Sequence, residues 1–389
     1  MTAARTRRTP PVARVAVPGS PERVLVVAVL LLCCVGVLTV YSASQVLAVE
    51  TTGSAWYFVV RQVFWLLVGG VGAVVAARIP LRVWRERLTI PVSAAAVVLL
   101  GYVAAGEVAR RLGGELLPGV VRRNGSTRWL GTEGLQFQPS EVAKLALVLC
   151  LAAVLADTGR DLGTWRGLRL PLGIAGGLAA LVFAGDDLGT TVLLGVVLIA
   201  VLWAAGAPLR SIGAIAAALV AGAFVVVRYF EGFRAARLAA FLNPEAYADG
   251  AGYQLVQSQI GLATGGLFGL GPGSSRGKWG YLPEAHTDFV VSVVGEEYGL
   301  VGTLVVVGLV ATVVVSGLAI ARRASTRYAQ LLAIGLTVWL GVQSFINLGV
   351  TIGLFPTKGI TLPFVSYGGS SIVLSLVAAG VLVAVAKDR

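Results

Sequence analysis

The chain is 389 residues long, 57% hydrophobic and only 13% charged, with a formal net charge of +12 and a mean hydropathy of +0.84. Soluble domains carry about 25% charged residues, so this composition excludes a water-soluble globular domain and points to an all-α polytopic membrane protein. The excess of cations requires no nucleic acid, because most of them flank apolar runs, where they set topology and meet anionic lipid.

One crossing takes roughly 20 apolar residues. In chain order, ten such runs are read at about 24–47, 57–77, 88–108, 141–156, 170–185, 187–205, 211–229, 288–320, 328–352 and 363–386. Residues 1–22 form a basic tail, expected to be disordered, and the run behind it is too long for a cleaved signal peptide. Residues 23–389 then form one ten-helix domain. Run 288–320 is too long for a straight crossing, so it tilts or begins outside the lipid. Arg5, Arg7, Arg8, Arg14 and Arg23 in the tail region, Arg78 to Arg87, Arg160 to Arg169, Arg210, Arg322 to Arg327 and Lys387 mark one side of the membrane. Loops 48–56 and 185–187 carry no Lys or Arg. This alternation predicts both termini in the cytoplasm. Two long outer loops, 109–140 and 230–287, break it, and their cations point to an anionic partner. Cys33, Cys34 and Cys150 lie inside apolar runs and read as packing residues without metal-ligand spacing.

The chemistry concentrates in the outer loops. Loop 109–140 holds Arg122-Arg123-Asn124-Gly125-Ser126-Thr127-Arg128-Trp129 and then Phe137-Gln138-Pro139-Ser140-Glu141. Asn-Gly marks a turn, and Pro139 before Ser140 suits a helix start. Glu141 and Lys144 are three apart on one helical face and read as a structural ion pair. Asp186 and Asp187 precede Leu188-Gly189-Thr190, where they either cap the sixth helix or line a cavity. Loop 230–287 contains Gly252 to Ser258, including Gln257, which reads as a short amphipathic helix. A glycine-rich stretch from Gly265 to Ser274 follows. It is not a phosphate loop: Pro272 stands five residues before Gly277, where a glycine is required, and Trp279 follows Lys278 where Ser or Thr is required. Flexible backbone beside Arg276 and Lys278 is expected. Last come Glu284, His286 (the only histidine), Asp288, Glu296 and Glu297. Buried acids in a span usually face a cavity or a partner, so these groups predict a water-filled acidic pocket facing outward. Asp288 alternatively caps the eighth span.

Four motifs together resemble the SEDS family of membrane proteins, which polymerise bacterial cell-wall glycan. They are Arg128-Trp129 with Phe137-Gln138-Pro139-Ser140-Glu141; Asp187-Leu188-Gly189-Thr190; Pro283-Glu284-Ala285-His286-Thr287-Asp288-Phe289; and Pro363-Phe364-Val365-Ser366-Tyr367-Gly368-Gly369-Ser370-Ser371. The resemblance runs from Tyr41 to Ser371. Asn124-Gly125, Ala285 before His286 and Pro356-Thr357-Lys358-Gly359 look like the division branch (FtsW-type) rather than the elongation branch (RodA-type). A sporulation paralogue would look similar. One departure is Asp186, where the family usually has proline.

The resemblance implies a ten-helix fold and an inverting glycosyltransferase that uses lipid II at the outer face of the cytoplasmic membrane, at the division septum. Asp288 matches the family's essential acid and would take the proton of the attacking 4-hydroxyl. Cations or a divalent metal (Mg or Mn) would offset the undecaprenyl pyrophosphate leaving group; no metal ligands are assigned. Candidate substrate contacts are Arg128, Arg234, Arg237, Arg276, Lys278 and Lys358, with His286, Glu284, Gln257 and Ser366. Glu141, Lys144, Asp187, Glu296 and Glu297 would shape the cavity. A class B penicillin-binding transpeptidase and other division proteins are the implied partners. The rival expectations are a lipid II flippase, which would need acids across the membrane, and a passive scaffold, which would not need Asp288.

Overall fold

A computed structural model of the chain describes residues 19–123, 126–132, 135–157, 159–229 and 239–388. Helix α1 spans Pro21–Thr52, α2 Tyr57–Ala76 and α3 Leu81–Arg111. A three-stranded antiparallel sheet follows: β1 Val120–Arg123, β2 Ser126–Gly131 and β3 Gln136–Phe137. Then come α4 Pro139–Leu155, α5 Trp165–Ala184, α6 Leu188–Ala204 and α7 Leu209–Tyr229. The short α8 covers Tyr253–Gly265, before α9 Val290–Arg323, α10 Arg327–Thr351 and α11 Gly369–Lys387. Each predicted apolar run coincides with a helix. Among the described residues, seven helices are long and apolar enough to cross a membrane, and α6 and most of α7 are shorter apolar helices. Helix α4, at 17 residues, fills the fourth position.

Local signals explain the boundaries. Pro21 and Pro139 begin α1 and α4 at the first helical turn, where a missing N–H costs nothing. Thr164, Asp187 and Thr326 cap α5, α6 and α10 by accepting a bond from the backbone N–H three residues on. Gly53 ends α1 at φ 73°. Three differences from the expected boundaries have physical causes. Helix α3 starts at Leu81 and takes a π turn over Trp84–Leu88, so much of the expected basic loop is helical. Helix α11 starts only at Gly369, because the preceding turn passes through Phe364 at φ 70°. The sheet was not expected at all, and its strands are too short to carry a period-2 signal.

Lipid gives helices no hydrophobic reason to associate, so close packing at small residues has to do it. Helix α11 packs along α2, and α1 along α9. A Cβ added at Gly380 would fall on the Ala73 backbone, and one at Gly36 would stand 2.7 Å from the Val365 carbonyl oxygen. Helices α4, α6, α10 and α11 form the centre, with Leu147, Leu202, Trp339 and Leu382 fully buried. At one end Arg210 bonds the Gly163 carbonyl and Arg327 bonds the Ala204 carbonyl.

The eighth span, expected to tilt or to begin outside the lipid, contains a break. Gly299 adopts φ 67°, ψ −162° and splits α9 into a short upper and a long lower segment. The glycine-rich stretch repairs the break. Leu270 and Gly271 donate to the Glu296 and Glu297 carbonyls, while Leu300 and Val301 donate to the Gly266 and Leu267 carbonyls. A Cβ at Gly265 or Gly269 would land on the α9 backbone. Contrary to the expectation of flexible backbone, this stretch is the partner that satisfies the broken helix's orphan groups.

Candidate active site

The first site element is built from two motifs joined at Asp187. This carboxylate is 2% exposed. Its oxygens accept from Thr190 N (3.1 Å) and Oγ1 (2.8 Å), Ser140 Oγ (2.9 Å) and Gln138 Nε2 (2.9 Å). Arg128 Nη1 lies 3.6 Å from Asp187 Oδ1. Burial pushes the Asp187 carboxyl up, but Arg128 and the hydrogen bonds from Thr190 and Ser140 outweigh it, holding the group below the ordinary carboxylate range. The two readings of this residue, helix cap and cavity wall, therefore resolve into a cap that is also the anchor of Arg128.

Strand β2 carries Arg128 and is fixed from below. Glu107, near the end of α3 and 1% exposed, accepts from Thr127 Oγ1 (2.7 Å) and pairs with Arg110 (2.6 Å) and Arg111 (2.7 Å). Arg111 also reaches Asp186 at 3.4 Å. Asp186 sits at φ 62°, a region that Asp tolerates and that proline, locked near φ −65°, cannot enter. Among the described residues, Asp186, Glu284 and Phe364 are the non-glycine residues at positive φ. Each lies within or beside one of the four motifs, and such backbone strain clusters at functional sites.

The second element is the turn 283–288. Thr287 and Asp288 both donate their N–H to the Glu284 carbonyl at 3.1 Å, and Thr287 Oγ1 bonds Glu284 Oε2 at 2.9 Å. Helix α9 starts at Val290 with Phe289 in the cap position, so Asp288 is not its cap. The third element is Lys358-Gly359. A Cβ at Gly359 would lie 2.7 Å from Arg128 Nη2 and 3.4 Å from Asp288 Oδ2. The guanidinium and the carboxylate thus face the same small residue, with half-buried Lys358 next in the chain.

The remaining candidates separate from this centre. His286 is 3% exposed and packs against Phe58 and Tyr367, with ring centroids 4.8 and 5.6 Å away. Ser366 Oγ accepts from Leu362 N at 2.8 Å inside its own turn. Glu296 binds Ser275 Oγ (2.5 Å) and Arg276 N (2.9 Å), while Glu297 binds Ser42 Oγ and Ser275 N (3.3 Å). The expected acidic pocket is therefore corrected: these two buried glutamates fasten the 275–277 backbone to α9 and α1 instead of lining water. The ammonium of Lys278 is turned onto the Gly273 carbonyl, and the Arg276 side chain is exposed. Gln257 is half-buried on α8. Arg234 and Arg237 lie outside the described residues, as does the Asn124-Gly125 turn. Lys144 pairs with Glu141 at 2.7 Å, with both side chains nearly inaccessible, and donates to Gln343 Oε1 at 2.7 Å.

Sequence reasoning passed over Glu107, Gln343 and Asn347. Glu107 fell at the edge of a run drawn to 108. The two amides are polar groups in the ninth apolar run, and the test applied to intramembrane acids would have found them. Among the described residues, no group of three or more His, Cys, Asp or Glu side chains comes together in a metal-binding arrangement.

A bundle of apolar helices long enough to cross a membrane, with Asp288 and Arg128 brought together at Gly359, defines the class, a polytopic membrane protein. Residues 22–389 match the family of cell cycle proteins that groups FtsW, RodA and SpoVE, and the chain belongs to it. It is 37% identical over 364 residues to the probable peptidoglycan glycosyltransferase FtsW of Trichlorobacter lovleyi, covering 93% of this chain and 92% of that one. Identity to the FtsW of Coxiella burnetii is 37% over 371 residues, covering 94% and 95%. Among solved structures, a chain of a peptidoglycan synthase complex that coordinates polymerization and crosslinking aligns with TM-score 0.76 at 29% identity, covering 94% and 97%. The rod shape determining protein RodA of Thermus thermophilus aligns with TM-score 0.68 at 27% identity, covering 94% and 96%.

Proposed function

We propose that this protein is the division-type peptidoglycan glycosyltransferase of its organism, polymerising lipid II at the outer face of the cytoplasmic membrane. The observation that carries this is the placement of Asp288 and Arg128 against the same face of Gly359. A sugar hydroxyl is a poor nucleophile, and a carboxylate within reach raises the rate by about 10²- to 10⁴-fold. Asp288 takes the proton of the acceptor 4-hydroxyl as that oxygen bonds the anomeric carbon of the growing chain. The bond from that carbon to the pyrophosphate oxygen breaks, and undecaprenyl pyrophosphate leaves with the electron pair, inverting the anomeric centre. Arg128, held by Asp187, offsets the negative charge building on the leaving group, with Lys358 beside it. Among the described residues no group of three or more His, Cys, Asp or Glu side chains gathers to hold a metal, so a divalent cation here would take most of its ligands from pyrophosphate and water and would add to the charge offset supplied by Arg128. The distribution of Lys and Arg supports an orientation with both termini in the cytoplasm. The synthase-complex neighbour, which coordinates polymerization and crosslinking, supports a crosslinking penicillin-binding transpeptidase as partner, and the FtsW relatives support the septum as the place of action.

The test is glycan polymerisation from lipid II by the purified protein with its transpeptidase, comparing wild type with Asp288→Asn. The expected result is polymer from wild type and at least about 100-fold less from a stably folded variant. Equal polymer from both would remove Asp288 as the base. No polymer from either, in a confirmed complex, would favour translocation or scaffolding.

A further inference from the structure

Asn347 lies on α10, 1% exposed. Its side-chain Nδ2 donates to the Asp288 carbonyl at 2.8 Å and to the Ile360 carbonyl at 2.7 Å. A primary amide has two N–H donors in one plane, and here both are spent on backbone oxygens from two segments far apart in sequence. One is the residue carrying the base. The other adjoins Gly359, the residue both Asp288 and Arg128 face. The Asp288 carbonyl lies just ahead of α9, whose first turn closes with Ser292 N–H on the Phe289 carbonyl at 2.9 Å. One helical turn earlier on α10, Gln343 Nε2 holds the adjacent Thr361 carbonyl at 3.0 Å. Ile360 itself packs on the Asp187 motif, since a Cβ at Gly189 would stand 2.8 Å from Ile360 Cδ1.

We propose that Asn347 is a positioning residue that clamps the Asp288 turn to the Lys358–Ile360 segment and so sets the distance between the base and the cations. This rests on Asp288 being the base in the reaction proposed above. The amide spends both N–H donors on the protein's own backbone. Its effect falls on the geometry of proton removal, where a displacement of about 1 Å is worth about 100-fold in rate, and lipid II binding is spared.

The experiment measures kcat and KM for lipid II with the full chain and its transpeptidase, alongside thermal unfolding of each variant. Asn347→Leu keeps the shape and deletes both donors; Asn347→Gln keeps both donors and displaces them by one methylene. The expected result is kcat lowered about 100-fold by Asn347→Leu and less by Asn347→Gln, with KM within about twofold of wild type. A folded Asn347→Leu with wild-type kcat, or a raised KM with kcat unchanged, overturns the clamp. If Asn347→Leu does not fold, Asn347→Gln decides: a lowered kcat supports the clamp, and wild-type kcat or failure to fold assigns Asn347 to stability alone. Asp288→Asn in the same series separates the two ideas. Its continued activity would sink the base assignment, whereas its inactivity beside a fully active Asn347→Leu would sink only the clamp.

Discussion

Removing the Asp187 carboxylate tests whether two motifs are one structural unit. Asp187→Ala leaves Gln138 Nε2, Ser140 Oγ, Thr190 Oγ1 and Thr190 N without their acceptor and Arg128, which is 19% exposed in its side chain, without its counter-charge. Deleting one partner of a buried, hydrogen-bonded pair costs about 3–5 kcal/mol, and a lost N-cap alone costs about 1 kcal/mol. These overlap, so a loss of about 3–5 kcal/mol is expected, with Asp187→Asn, which keeps a cap acceptor, nearer 2 kcal/mol. The assay is reversible unfolding in mixed micelles, followed by circular dichroism. The pH sign follows from the depressed carboxyl. Its folded form holds the proton less tightly than its unfolded form, near the ordinary value of about 3.9. Its contribution is therefore complete above that value and is lost as pH falls through the lower folded value. Between pH 6 and 8 the wild-type advantage over Asp187→Ala stays constant. A loss under about 1 kcal/mol, the size of an isolated helix cap, would refute the hub.

Other consequences are equally direct. Lys144→Met should cost about 3–5 kcal/mol by stranding the buried Glu141 carboxylate, and adding Glu141→Gln should recover most of it; additive losses in the same unfolding assay would mean the pair is not coupled. Asp186→Pro should destabilise by about 3 kcal/mol, because proline cannot take φ 62°. Asp186→Gly should cost under 1 kcal/mol, since the exposed contact to Arg111 contributes little; comparable losses from both would remove the backbone argument. Gly269→Ala should cost about 1–3 kcal/mol and open the 265–280 stretch to protease, because its Cβ would fall on the Glu297 carbonyl; an unchanged cleavage pattern would contradict that docking.

What local chemistry dictates was legible in the order of residues. Runs of apolar residues had to become helices because a bilayer leaves no other way to satisfy backbone groups. Pro139 and Asp187 mark helix starts because their effects reach only one turn. The Glu141–Lys144 pair was legible for the same reason, being three residues apart. The motifs named the family, and through it Asp288 as the candidate base.

How these parts meet depends on packing between distant segments. Lys144 and Gln343 are 199 positions apart, and Ser42 and Glu297 are 255 apart; no periodicity links them. Glu296 and Glu297 read as pocket walls because an intramembrane acid signals only that it needs a partner. Backbone N–H groups and hydroxyls served, and the sequence does not show where those lie. Gly299 broke α9, yet the segment that repairs the break comes from about thirty residues earlier, brought there by glycines that let two backbones touch. Asp288, Arg128 and Gly359 come from three separate segments. Their meeting depends on long-range hydrogen bonds such as those of Asn347 and Asp187, whose partners exist only once the helices have packed.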